Sequence, residues 1–207
     1  MTSNDITITG TFDIVNQIKK YDFSRCLNFI IQRGKEMYSP HFIINSYQKR
    51  AYFQLLVYAI EDEMHLQKLK LDPRKGILLI GDSGLGKTSM MHLTKNFFTR
   101  KKQYSIKNCR TLSNDFSHRG FEAILPLLKS GTSLCLDNMG KETISKYYGT
   151  TCDTTYLIVE HFYEQRFEQN APRLHLITDL SPSEIQKRYG IGFRKMLQEL
   201  CNVIVCD

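Results

Sequence analysis

The chain has 207 residues, a length that suits one α/β domain with a short appendage, and its 42% hydrophobic and 24% charged content excludes a disordered or fibrous chain. The longest apolar runs, such as Ala51 to Ile60 with its internal Gln54, are too short for a bilayer span, and the polar start MTSNDITITG lacks signal-peptide character, so the reading is cytoplasmic, with no membrane partner. The net charge of +7 permits attraction to a polyanion such as DNA, but the excess is spread thinly; the densest cluster, Arg100 to Lys102, suits a solvated helix end as well as a nucleic-acid contact.

From Thr11 to about Leu71 the pattern is mainly helical. Phe23, Leu27, Ile30 and Ile31 share one face, as do Tyr52, Leu55, Leu56, Ala59 and Ile60, with Ser46 as the expected N-cap of the second helix. Asp72-Pro73 breaks this region, and Gly76 to Gly81 is a continuous apolar run of the kind a strand buried on both faces requires. Alternation follows: a helix from about Lys87 to Arg100, a strand at Tyr104 to Asn108, a helix across Gly120 to Lys129 and a strand at Ser133 to Asp137. Next come a helix at Thr154 to Glu168, a strand at Leu174 to Thr178, short helices after Ser181 and a strand at Asn202 to Cys206. Strands separated by helices of this length predict right-handed crossovers and a parallel sheet covered on both faces. The expected division is a helical region over 1–71 and a P-loop core over 72–207. Six cysteines (Cys26, Cys109, Cys135, Cys152, Cys201, Cys206) contain no C-x-x-C pair, so they read as buried thiols in a reducing compartment.

The sequence Gly81-Asp82-Ser83-Gly84-Leu85-Gly86-Lys87-Thr88 satisfies G-x-x-x-x-G-K-[ST], directly after a predicted buried strand and directly before a predicted helix. Its glycines let successive N–H groups, continuing to Ser89, point at phosphate oxygens where the helix dipole is positive. Lys87 is expected to bridge the β and γ phosphates, and the Thr88 hydroxyl to be a Mg²⁺ ligand. An accidental match of the fixed positions arises in about one chain in a hundred of this size. Asp82 carries negative charge inside the loop and is expected to face solvent. The cofactors so implied are ATP and Mg²⁺.

Such a loop needs an acidic residue ending a neighbouring apolar strand to hold the hydrated metal, and Asp137 after Leu134-Cys135-Leu136 fits. Brisk ATPases have a further carboxylate to orient water, often the next residue; Asn138 stands there, and an amide cannot accept the proton, so slow chemistry is expected.

From Gly76 onward the chain resembles the helicase-loader and transposition-helper branch of the AAA+ ATPases, the DnaC and IstB types. The resemblance covers about two thirds of the chain. It rests on GDSGLGKT, on LDNMGKE at Leu136 to Glu142, on the helix with Tyr163 to Arg166, and on ITDLSPSEI at Ile177 to Ile185 followed by Arg188-Tyr189-Gly190. The resemblance implies a five-stranded sheet of order 5-1-4-3-2, with position 179 as the sensor of the γ-phosphate. The branch usually carries Asn at that sensor and Asp or Glu after the metal-shell Asp. Asp179 and Asn138 reverse this, as if the carboxylate had moved across the site, leaving Asp179 as a candidate water-orienting base.

The resemblance also implies arginines given to the ATP of a neighbouring subunit, but Gly192 and Met196 occupy the matching positions. Arg194 and Arg188 are the substitutes, and a salt-bridged or solvated role suits Arg194 better. No full helical lid is expected after the core. The leading expectation is an ATP-binding, slowly hydrolysing accessory protein in DNA transactions that acts on a replicative helicase or a transposase through ATP-dependent homo-oligomers. The alternatives are a nucleotide-binding scaffold without hydrolysis and a small P-loop kinase.

Overall fold

The computed structural model describes residues 7–99 and 102–207, so Arg100 and Lys101 of the basic cluster, and the end expected for the helix beginning at Lys87, lie outside the described residues. The chain forms two compact units. One comprises residues 1–71 with Thr88–Thr99, the other Asp72–Lys87 with residues 100–207.

In the first unit a 3₁₀ turn over Ile8–Thr11 leads into a hairpin where helix was expected. Strands β1 (Phe12–Val15) and β2 (Ile18–Tyr21) pair antiparallel around Asn16 and Gln17, both left-handed at φ 51° and 64°. Two positive-φ residues make the turn whose twist matches a hairpin, a signal that helical periodicity hides. Helix α1 (Phe23–Met37) is capped by Asp22, which accepts from the Arg25 amide at 2.9 Å; it buries Cys26, Phe29 and Ile30, a stripe slightly rotated from the expected one. Helix α2 (Ser46–Ile60) is capped by Asn45, not Ser46: the Gln48 side chain reaches back to accept from the Asn45 amide at 2.9 Å. Helix α3 (Glu63–Leu69) brings His65 against Phe23 and Phe53, ring centroids 5.5 and 5.6 Å away, and Phe29 packs edge-on to Phe97.

The second unit is built on strands β3 (Gly76–Gly81), β4 (Tyr104–Asn108), β5 (Ser133–Met139), β8 (Leu174–Thr178) and β9 (Cys201–Cys206). They pair in the order β4-β5-β8-β3-β9, parallel throughout, which is the 5-1-4-3-2 order the resemblance implied. The three inner strands are almost wholly buried, hence their unbroken apolar runs. Helix α4 (Lys87–Thr94) follows β3 and ends earlier than expected, in a 3₁₀ turn over Lys95–Phe97. Where one helix across Gly120 to Lys129 was expected, α5 (Cys109–Arg119) precedes a 3₁₀ turn and the short α6 (Leu125–Lys129). Asn108 caps α5 by accepting from Arg110 and Thr111, a start signal masked by the polar face that follows.

A small hairpin, β6 (Ser145–Tyr147) with β7 (Thr150–Cys152), precedes α7 (Thr154–Glu164); helices α8 (Pro182–Tyr189) and α9 (Ile191–Leu200) lead into β9. Helix α7 stops four residues short of the expected Glu168. One core joins Leu78, Ile80, Leu136, Leu176, Phe116, Ile158, Phe162 and Phe193 between sheet and helices. All six cysteines are free thiols, five of them buried. No helix among the described residues is long and apolar enough to cross a membrane.

Strand β5 contains a bulge. Leu136 pairs with Leu176 and Met139 with Thr178, so Asp137 and Asn138 together face the single residue Ile177. Asn138 takes the left-handed conformation, φ 61°, that the extra residue requires, and asparagine accepts this backbone better than most side chains.

Candidate functional site

In a parallel sheet, ligands gather at the carboxyl ends of the strands, and the ends of β3, β5 and β8 carry Gly81, Asp137 and Asp179. After β3 the chain turns through Asp82–Gly86 and enters α4 at Lys87, with Thr88 and Ser89 in its first turn. Gly84 and Gly86 have φ of 85° and 77°, conformations that let consecutive amides face one concavity. Asp82, Ser83 and Gly84 are exposed, while Leu85 and Gly86 are half-buried.

Lys87 is 5% exposed, and its ammonium is tightly held. Nζ donates to the Gly81 carbonyl at 2.6 Å, to the Asp82 carbonyl at 2.7 Å and to Asp179 Oδ1 at 2.8 Å. The other oxygen of Asp179 meets Lys141 Nζ at 2.5 Å. Burial works to raise the Asp179 carboxyl, but the hydrogen bonds from Lys141 and Lys87 prevail and hold it below the ordinary carboxylate range. Lys141 lies within the LDNMGKE run, yet its meeting with Lys87 on one carboxylate depends on β8 lying between β5 and β3.

Asp137 is 7% exposed in the bulge near the end of β5, and Asn138 Nδ2 reaches its Oδ2 at 3.4 Å. Pairing of Met139 with Thr178 brings the backbones of Asn138 and Asp179 to the same end of adjacent strands, and Thr178 Oγ1 donates to the Met139 carbonyl at 2.7 Å. A carboxylate next to the phosphate-type loop is the oxygen donor a hard cation takes, and Mg²⁺ needs only one or two protein carboxylates when phosphates complete its shell. The donor set therefore fits Mg²⁺ with a nucleotide.

Both candidate arginines are engaged within the unit. Arg194 donates to Gln186 Oε1 at 2.7 Å. Arg188 donates to Glu142, whose side chain is fully buried, and Tyr189 donates its hydroxyl to the same carboxylate; Glu142 Oε2 in turn accepts from the Gly140 amide at 2.9 Å. Glu142 was not singled out from the sequence. It ties the turn after β5 to the Arg188-Tyr189-Gly190 run, joining two of the pieces on which the family resemblance rests. Gly192 is exposed, and Met196 packs partly buried on the core.

At the amino ends of the strands, Arg74, Lys102 and Arg173 stand just before β3, β4 and β8. With Arg166, Phe167 and Glu168 they line a cavity of about 710 Å³, four cations against one carboxylate. Arg166 lies over the Tyr163 and Phe167 rings at 3.5 and 4.1 Å, and Phe167 is 84% exposed. Arg173 donates to the Pro73 carbonyl at 2.9 Å. Burial, with the charge of Arg173, lowers Lys102 to about 8.

No protein-family model matches the sequence, and no curated protein matches it. Solved structures do match the fold. The DnaC helicase loader aligns over 81% of this chain and 94% of its own at TM-score 0.57 and 19% identity. A primosome component from Streptococcus pyogenes serotype M3 aligns over 84% and 87% at TM-score 0.58 and 13% identity. DnaI aligns over 81% and 86% at TM-score 0.55 and 17% identity. The strand order, the loop after β3 and these likenesses together give the chain a P-loop NTPase fold, the one it shares with these three structures.

Proposed function

We propose that the chain binds ATP with Mg²⁺ at Gly81–Ser89 and serves, by nucleotide-dependent self-assembly, as an accessory protein to a replicative helicase in the cytoplasm. The observation that carries this reading is Lys87, a buried ammonium fixed at the mouth of a glycine-curled loop, on loop carbonyls and a single carboxylate. In this reading amides of the loop would hold phosphate oxygens, Lys87 would neutralise them, and Thr88 and Asp137 would be the metal's oxygen donors. A metal held there would supply positive charge against the phosphates. The helicase comes from the likeness to the DnaC helicase loader, and the region over 1–71 is the surface proposed to meet it. Single-stranded DNA is the second partner, at the cavity lined by Arg74, Lys102, Arg166 and Arg173, where an exposed ring beside cations suits a base next to its phosphates.

Hydrolysis is slow in this reading. Asn138 cannot take a proton, and Asp179, held by two lysines, is a weak base. The same observation favours a second reading, a nucleotide switch without turnover, and phosphate release measured with and without DNA separates the two. The test of the main reading is the size of the purified protein with ATP and Mg²⁺, with and without single-stranded DNA and a helicase hexamer. ATP should drive assembly, and Lys87→Ala should abolish it. Assembly indifferent to nucleotide, or unchanged in Lys87→Ala, removes the switch.

A further inference from the structure

We infer that Lys141 is a second phosphate-binding cation of the loop site, reserved for the terminal phosphate of a nucleoside triphosphate, and that Asp179 takes that phosphate's place between Lys141 and Lys87 when no triphosphate is bound. The inference rests on the nucleotide-binding reading and assigns the γ-phosphate end of that site.

One carboxylate grips both ammonium groups, Lys87 at 2.8 Å on Oδ1 and Lys141 at 2.5 Å on Oδ2. Groups bridged in this way lie within about 8 Å of each other, a span that one phosphate, with oxygens pointing in several directions, also bridges. Lys87 reaches this point from the loop after β3 and Lys141 from the turn after β5, so the pair converges from two strand ends.

The backbone of Lys141 is anchored. Its amide donates to the Asn138 carbonyl at 3.1 Å, its carbonyl accepts from Arg110 Nε at 3.2 Å, and the neighbouring Gly140 amide is held by the buried Glu142. Its side chain is part-exposed, and Asp179 is its one ionic partner among the described residues. An anchored backbone with a side chain open to solvent is what a cation needs in order to exchange one anion for another.

Charge explains the pairing. A carboxylate at position 179 places negative charge where a terminal phosphate must come, and alone it repels that phosphate. Lys141 offsets it, leaving two cations against one anion before ligand arrives. A triphosphate reaches both lysines, whereas a diphosphate, ending one phosphate earlier, reaches Lys87 alone. The pair therefore distinguishes ATP from ADP.

The experiment is calorimetric titration of the full chain with ATP and with ADP, both with Mg²⁺, for the parent and for Lys141→Ala, Lys141→Arg, Asp179→Asn and Lys87→Ala. Lys141→Ala should weaken ATP by about tenfold, the loss of one charge-assisted hydrogen bond, and leave ADP within about twofold. Lys141→Arg should recover the preference. Asp179→Asn, which removes the competing anion, should tighten ATP severalfold. Equal effects of Lys141→Ala on ATP and ADP, or none on either, while Lys87→Ala still abolishes ATP binding, overturn the role of Lys141 and leave the loop site standing. A parent chain that binds neither nucleotide overturns both.

Discussion

Arg188 is joined to Glu142 twice, through Nη2 to the backbone carbonyl at 2.5 Å and to Oε1 at 3.3 Å, and the Glu142 side chain has no solvent exposure. Removing the guanidinium leaves the buried carboxylate without its cation, held among the described residues only by the Tyr189 hydroxyl and the Gly140 amide. Such losses cost about 3–5 kcal/mol when both partners are buried, and about 2 kcal/mol is expected for Arg188→Ala because the arginine keeps partial contact with water. Urea unfolding checks this. A variant as stable as the parent that loses ATP-dependent assembly would instead give Arg188 a task on a neighbouring subunit.

Asn138 sits at φ 61° in the bulge of β5, a backbone that β-branched residues resist. Asn138→Val should cost about 1–2 kcal/mol in strain, while Asn138→Gly should stay within about 0.5 kcal/mol of the parent. Thermal unfolding at constant pH reads the difference. Equal midpoints for the two variants would mean that the bulge relaxes at no cost.

His175 is fully buried beside Tyr104, and its Nδ1 accepts from the Ile77 amide at 3.2 Å, which requires the neutral ring. Burial, with Arg173 nearby, lowers it to about 3. The unfolded chain takes up this proton near pH 6.5 and the folded chain does not, so stability falls as pH drops through the window from about 6.5 to 3, by up to about 1.4 kcal/mol per pH unit. Asp179, lowered in the fold, adds a loss in the same direction as pH falls through the ordinary carboxylate range. His175→Gln should flatten the upper part of the window; denaturant midpoints from pH 7 to 4 measure it.

Binding of single-stranded DNA should weaken about uniformly across sequences in Lys102→Ala and in Arg74→Ala, each reducing the slope of log affinity against log salt by about 0.7. Phe167→Ala should weaken binding by about 1–3 kcal/mol without altering that slope. Lys102, lowered to about 8, is charged below that pH, so affinity should drop between pH 7 and 9 in the parent and less so in Lys102→Ala. Fluorescence anisotropy of a labelled oligonucleotide supplies all three readings.

Inner strands of the second unit were readable because a strand buried on both faces has no polar alternation to obscure it: Gly76–Gly81 and Leu174–Thr178 lie where the apolar runs placed them, and the edge strand Tyr104–Asn108, which alternates, also lies where it was expected. The hairpins did not show. Strands of three or four residues offer too few alternations, and the turn at Asn16 and Gln17 lacks the glycine that usually marks one. The phosphate-type loop was legible as a contiguous motif. The partnerships Lys141–Asp179 and Glu142–Arg188 were not, because each joins residues 38 or more positions apart that meet only once β5 and β8 are neighbours. The left-handed backbone of Asn138 was hidden too, since a bulge is a property of two strands' register and leaves no mark on one of them.

Strand β3 can be completed only by distant chain. Its Ile77 amide bonds to His175, 98 residues away, and its Gly76 carbonyl accepts from Asn202, 126 residues away. Such remote pairings form late because a long loop must close first, so the glycine turn acquires its rigid floor near the end of folding. Immature molecules would present the motif without the platform beneath it. Nucleotide would then select finished molecules over half-made ones, and its affinity would double as a measure of whether the sheet has closed.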